Sequence, residues 1–260
     1  MTFENIRGLD VRWSSSEDIQ LLPRKIQSVI TSPPYWNLKD YGHQDQIGTS
    51  DETYDDYLSR IRKVFGECYK NLSHTGTMWV VADSFVDRGD TKLLPYHLAK
   101  EAQKAGFILQ NIIVWYKPTA IAGYNDRTVV NKKEYIVFLS KESDYKLRVS
   151  QDTQDGSEDP ANVVGEKLNN IWRHPVKRGS LSKTDVLHKA PYPVSLAKRI
   201  VQISTEEGEF VLDPFLGSGT TALAALNENR RCVGYEINRE FESVIEERLD
   251  VLKQKTLSER

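Results

Sequence analysis

Apolar residues recur every three or four positions between residues 54 and 72. Tyr54, Tyr57, Leu58, Ile61, Val64, Phe65, Cys68 and Leu72 share one face, and that period predicts an amphipathic helix. A second helix is expected over 93–104, with Pro95 tolerated in its first turn and Gly106 closing it. Others are expected over 194–204, from the glycines at 217 and 219 to about 226, and over 241–252, followed by a frayed tail. Between them lie short, largely apolar runs of strand length: 26–30, 77–82, 107–116, 135–139, 210–212 and 231–237. The lead-in, 1–13, holds an edge strand, and 14–22 a short helix capped by Ser14, Ser15 or Ser16. Strands alternating with helices predict an α/β chain on a mostly parallel sheet.

Two polar stretches interrupt the alternation. Residues 37–53 form a long, glycine-bearing loop just after the 26–30 strand, which reads equally as a functional lid and as a plain surface loop. Residues 141–185 are turn-rich and mix basic with aromatic side chains: Trp172, Arg173, His174, Lys177, Arg178 and Lys183. Such interleaving suits contacts to phosphates and bases. A solvated insert is the other reading of the same charges.

Composition narrows the class. The 260 residues are 39% hydrophobic and 28% charged, which fits one large globular domain, 1–260, rather than a disordered chain. A net charge of −2 is not that of a generic polyanion binder, so any nucleic-acid surface must be local. No run is long and apolar enough for a membrane span, and no secretory h-region opens the chain, so a cytoplasmic protein is expected. Cys68 and Cys232 have no metal-like spacing and read as free thiols; no metal site is expected.

Two strand ends carry the chemistry. The first is Thr31-Ser32-Pro33-Pro34-Tyr35-Trp36. Paired prolines cannot extend the strand, so the carbonyls of Ser32 and Pro33 lack ladder partners. A rigid elbow with acceptors on one side and a ring face on the other suits a planar, amino-bearing ligand such as a nucleobase. The second is Asp213-Pro214-Phe215-Leu216-Gly217-Ser218-Gly219-Thr220-Thr221. A strand, a Gly-Ser-Gly turn and a helix make a nucleotide-binding turn. Glu236 ends the next strand, about twenty residues on, where a carboxylate accepts from ribose hydroxyls. No Lys follows the glycines as a P-loop needs, so nucleoside-triphosphate binding is not expected. Ala222 three places after Gly219 leaves a dehydrogenase open on this turn alone.

Together these two motifs resemble those of the S-adenosylmethionine-dependent amino DNA methyltransferases, which methylate N4 of cytosine or N6 of adenine. The catalytic motif lies ahead of the cofactor motif, as in the permuted β arrangement of that family. The segments 36–42, 46–48, 115–118, 134–141 and 188–193 are also similar, so the likeness covers roughly residues 14–140 and 186–250. It implies a Rossmann-like methyltransferase fold: a mixed, mostly parallel seven-stranded sheet with helices on both faces. It implies catalytic roles for Ser32, Pro33, Pro34 and Tyr35, with Ser32 Oγ and the Pro33 carbonyl accepting from the amino group of a flipped-out base and Tyr35 stacking on it. Cofactor contacts fall to Thr31, Asp213, Phe215, Gly217, Ser218, Gly219, Thr220, Glu236 and His188. Where many relatives carry Gly-Asp ahead of the first short helix, this chain has Trp13-Ser14, which leaves Glu17 or Asp18 for the cofactor adenine.

The implied partner is double-stranded DNA, read by a recognition insert over 141–185, with Lys39, Arg127, Lys177 and Arg178 on phosphates. A homodimer and a cognate restriction endonuclease are further partners of such enzymes. Ser ahead of Pro-Pro is commoner in cytosine-N4 enzymes and Asp in adenine-N6 ones, so Ser32 favours cytosine. Adenine N6, an RNA or protein substrate, and a non-catalytic nucleic-acid-binding module are the alternatives. Asp83 and water are both open as acceptors of the departing proton.

Overall fold

In a computed structural model, residues 8–118, 131–148, 163–164, 167–175 and 192–258 are described. In chain order the strands are β1 (Leu9–Arg12), β2 (Ile26–Thr31), β3 (Leu72–Ala82), β4 (Phe85–Asp87), β5 (Asp90–Lys92), β6 (Ile108–Tyr116), β7 (Lys133–Ser140), β8 (Val163–Val164), β9 (Lys167–Leu168), β10 (Ile171–Arg173), β11 (Phe210–Asp213) and β12 (Arg231–Tyr235). The helices are α1 (Tyr54–Asn71), α2 (Leu94–Lys104), α3 (Val194–Ser204), α4 (Thr220–Asn227) and α5 (Phe241–Ser258).

Eight strands form one sheet in the order β1-β12-β11-β2-β3-β7-β6-β10. Strand β7 runs antiparallel to both of its neighbours, and the other pairings in this sheet are parallel. All six residues of β2 are buried, as a strand covered on both faces must be. One face is covered by α1 and α2, with Tyr57, Ile61, Phe65 and Leu98 in the core. The other is covered by α3, α4 and α5, through Leu196, Ile200, Ala222 and Ile245. Thr53 caps α1, its hydroxyl accepting from the Asp56 N–H at 3.2 Å.

The sheet has eight strands where seven were expected. The added edge strand, β10, comes from the 141–185 insert and pairs with β6. Trp172 at its centre is fully buried and lies 6.0 Å from Trp79, and His174 is buried too. Neither is free to contact DNA, whereas Arg173 is exposed. Two other departures are local. Residues 16–18 form a single 3-10 turn capped by Ser15, and α5 runs to Ser258 instead of fraying after 252.

The chain leaves β2 toward β3 and leaves β11 toward β12, in opposite directions along the sheet. Such a switch point opens a crevice at the carboxyl ends of the strands. The elbow after β2 and the glycine turn after β11 flank it.

Candidate active site

A cleft of about 650 Å³ lies over this crevice. Ser32, Pro33, Pro34 and Tyr35 line one side, and Phe215, Gly217 and Glu236 another. Ile47, Val81, Glu134 and Tyr192 complete the wall nearest the elbow.

The elbow is held from outside. Tyr57 on α1 donates its hydroxyl to the Pro34 carbonyl at 2.7 Å. Trp36 follows at φ 36, in the left-handed region that a bulky side chain seldom enters, and its indole N–H donates to the Glu52 carbonyl at 2.9 Å. Gly48, at φ +87, packs against that residue; a Cβ there would lie 2.7 Å from the Trp36 carbonyl oxygen. With Pro34 anchored, Ser32 Oγ and the Pro33 carbonyl have no hydrogen-bond partner among the described residues. Ser32 and Pro33 both line the cleft, so two acceptors without partners among the described residues stand in an elbow whose far end is anchored. Burial, then the negative charges of Glu134 and Asp83, push the Tyr35 hydroxyl well above the usual phenol range, so it stays neutral.

The loop over 37–53 folds across the cleft rim. Asn238, just past β12, donates to the Tyr41 carbonyl at 2.7 Å, and the Tyr41 N–H donates to Gln46 Oε1 at 2.7 Å. Arg60 of α1 holds the loop from behind through the carbonyls of Asp45 and Gln46. Arg60 also takes up Glu17, at 2.7 and 3.1 Å. That ion pair removes Glu17 from the cleft proper, and both Glu17 and Asp18 line an adjoining pocket of about 470 Å³.

Gly217 and Gly219 turn the loop after β11 with φ 51 and 79, angles that cost a side chain strain. The Gly217 N–H donates to Glu236 Oε2 at 2.8 Å, and the Asn238 N–H to Glu236 Oε1 at 2.9 Å. Each carboxylate oxygen keeps a lone pair for a ligand hydroxyl. Burial raises the Glu236 pKa, and these backbone donors hold it back.

Several expected cofactor residues are not in the cleft wall. The side chains of Ser218 and Thr220 face Arg248 of α5, at 2.9 and 3.0 Å. Gly219 packs on Ile245. Thr31 and Asp213 are 0% and 2% exposed and bond to each other beneath the cleft. Thus Phe215, Gly217 and Glu236 flank the cleft, whereas Thr31, Asp213, Ser218, Gly219 and Thr220 support it. His188, Arg127, Lys177 and Arg178 lie outside the described residues. Lys39 lines the mouth, 4.6 Å from the Tyr41 ring.

Asp83 does not line the cleft. Ser84 N–H and Lys133 Nζ occupy its Oδ1 at 2.8 and 3.0 Å, and Asn131 occupies Oδ2. Glu134, which the sequence placed in a family-like strand but gave no site role, does line it, paired with Lys117 at 2.9 Å. Both thiols are buried, and burial pushes both up, so neither suits the nucleophilic role that carbon-5 methylation needs.

Burial pushes the Asp213 carboxyl up to about 6, against four donors that pull it down. A folded pKa above the unfolded one stabilises the fold at low pH and loses that gain as pH rises through 6. Holding the charge costs about 3 kcal/mol at pH 8, from a shift of roughly two units. Asp213→Asn removes that pH-dependent cost but turns an amide donor toward groups that donate to the carboxylate, so its melting temperature relative to the unaltered chain is expected to improve as pH rises from 5 to 8. Thermal unfolding at the two pH values checks this; an unchanged difference would show that the carboxylate is not costly.

The family model described as DNA methylase, of the N6/N4 type, matches residues 26–247. The type II methyltransferase M.XycI of Xanthomonas campestris pv. cyanopsidis is 31% identical, over 86% of this chain and 81% of its own. M.SmaI, a type II methyltransferase of Serratia marcescens, is 30% identical, over 90% and 87%. Among solved structures, a DNA modification methylase of Thermus thermophilus complexed with S-adenosyl-L-methionine superposes with a TM-score of 0.66 at 26% identity, covering 92% of each chain.

Proposed function

The chain belongs to the DNA methylase family of the N6/N4 type, and from that premise we propose that it transfers a methyl group from S-adenosylmethionine to the N4 amino group of cytosine in DNA. One observation carries the reading: the free acceptors of the Ser32-Pro33 elbow and the acid-tipped strand end at Glu236 open into a single cleft.

The cleft suits that cofactor on the residues present. Glu236 offers two oxygens to ribose hydroxyls, and Phe215 and Ile237 offer apolar surface beside it. When bound, S-adenosylmethionine supplies a methyl group on a positively charged sulfur, open to direct displacement by a nitrogen lone pair. The elbow prepares that lone pair. In free cytosine it is delocalised into the ring. Ser32 Oγ and the Pro33 carbonyl, each taking one N–H, favour a pyramidal nitrogen. With Asp83 outside the cleft, the proton that the nitrogen sheds as the C–S bond breaks and the N–C bond forms passes to water. Pro33 and Pro34 hold both acceptors in place before the base arrives. Tyr35 stacks on a base that has left the duplex. Lys39 at the mouth reaches the phosphates.

Ser32 supports cytosine over adenine. A hydroxyl and a carbonyl are milder acceptors than the carboxylate found ahead of Pro-Pro in most adenine enzymes. The insert over 141–185 is the proposed recognition segment within a single domain. A second copy of the chain and a cognate endonuclease are proposed partners, and the cytoplasm the compartment; no helix among the described residues is long and apolar enough to cross a membrane.

Supplying the purified protein with tritiated S-adenosylmethionine and duplex DNA, RNA or protein tests the substrate class. Label should enter DNA. Label confined to RNA or protein would refute the substrate, and no binding of the cofactor by calorimetry would favour a non-catalytic nucleic-acid module.

A further inference from the structure

The ladder between β11 and β2 pairs Val211 with Ser28 and Leu212 with Val29, and goes no further. The two strands therefore lose their backbone connection before either motif begins, which is what opens the crevice. Side chains bridge the gap instead. Thr31 Oγ1 donates to Asp213 Oδ1 at 2.7 Å, and the same oxygen accepts the Phe215 N–H at 3.0 Å. Thr31 precedes the base elbow by one residue, and Phe215 stands in the cofactor wall. One carboxylate oxygen is thus shared between the two halves of the site. Its partner Oδ2 accepts from Thr221 Oγ1, to which the Tyr192 hydroxyl is bonded, so Asp213 is held independently of Thr31.

We propose that Thr31 and Asp213 are positioning residues whose shared hydrogen bond sets the spacing between the amino-group clamp at Ser32-Pro33 and the cofactor turn at Phe215. The proposal rests on the methyltransferase reading above. Neither side chain lines the cleft, so neither touches a ligand there. Loss of the Thr31 hydroxyl leaves Asp213 bonded to Phe215, Thr221 and Tyr192, and the cofactor wall intact. The elbow loses its direct side-chain tie to the Phe215 turn, while the pairing of Thr31 with Val80 and the 3.4 Å bond from Thr221 Oγ1 to the Ile30 carbonyl keep β2 itself in place. A misplacement of about 1 Å is enough to cost roughly 10²-fold in rate.

Thr31→Val keeps the shape of this buried side chain and removes the donor. It should lower the single-turnover methylation rate at least tenfold while the calorimetric Kd for S-adenosylmethionine stays within threefold. Thr31→Ser, which keeps the hydroxyl, should stay within threefold of the unaltered chain on both measures. A full rate in Thr31→Val would overturn the proposal, as would equal losses in rate and cofactor affinity. Should Thr31→Val fail to fold by circular dichroism, Thr31→Ala is judged by the same two criteria. Absence of methyl transfer by the unaltered chain would instead sink the methyltransferase reading, and this proposal with it.

Discussion

Ser32→Ala lowers the single-turnover rate of methyl transfer by about 10²–10³-fold, with cofactor affinity unchanged. The magnitude is that of removing one preorganised hydrogen-bond group aimed at a reacting atom. Ser32 is suited to such a role because its Oγ has no partner among the described residues and faces the cleft. Its neighbour Pro34 is already committed, its carbonyl taken by Tyr57. Alanine leaves the Pro33 carbonyl as the single acceptor, so one amino N–H loses its partner and the lone pair stays in the ring. The wall proposed for the cofactor, Phe215, Gly217 and Glu236, does not include Ser32. A quench-flow rate and a calorimetric Kd on the same preparations separate the two effects. Equal rates with and without the hydroxyl would remove Ser32 from the mechanism.

The second large effect belongs to Glu236. Glu236→Ala is expected to weaken S-adenosylmethionine binding by roughly 10²-fold or more. The carboxylate does two things at once: it accepts the N–H groups of Gly217 and Asn238, and it leaves lone pairs for ribose hydroxyls. Alanine strands both N–H groups at about 1–3 kcal/mol each when they are kept from water, and loses the charge-assisted bonds to the ligand as well. The Gly217 turn, already at positive φ, loses the anchor that fixes it. Glu236→Gln should fall between, since its amide keeps one acceptor but turns a donor toward another N–H. Calorimetric titration reads the series, and wild-type affinity in Glu236→Ala would mean that the ribose lies elsewhere.

Much of this site is local in sequence and was legible there. Proline pairs, a Gly-Ser-Gly turn and an acid at the end of the next strand each act through their own backbone, and the structure gathers Ser32, Phe215, Gly217 and Glu236 around one cleft. What sequence did not reveal depends on partners far along the chain. Thr31 and Asp213 are 182 residues apart, and nothing in either motif says that their side chains turn inward to meet. The Ser218 hydroxyl is taken by Arg248, 30 residues on, which leaves the backbone of that turn, not this side chain, for a ligand. Glu134 opens a strand whose likeness to the family named no site residue, and the pairing of β7 beside β3 brings it to the cleft.

Trp172 shows the opposite error. Among basic neighbours it reads as a nucleic-acid contact, yet the exposed-buried-exposed alternation of Ile171, Trp172 and Arg173 is that of an edge strand with one face on the core. The hairpin of β4 and β5 was missed because its strands are three residues long; Arg88 and Gly89, at φ 49 and 84, were its only local signal.

The central claim is that the elbow holds a cytosine amino group for methylation. Duplex DNA treated with the protein and S-adenosylmethionine, digested to nucleosides and resolved by mass spectrometry, tests it most directly. The account predicts N4-methylcytosine, strongly reduced when Ser32→Ala replaces the unaltered chain. N6-methyladenine as the product, or N4-methylcytosine formed equally well by Ser32→Ala, would contradict it.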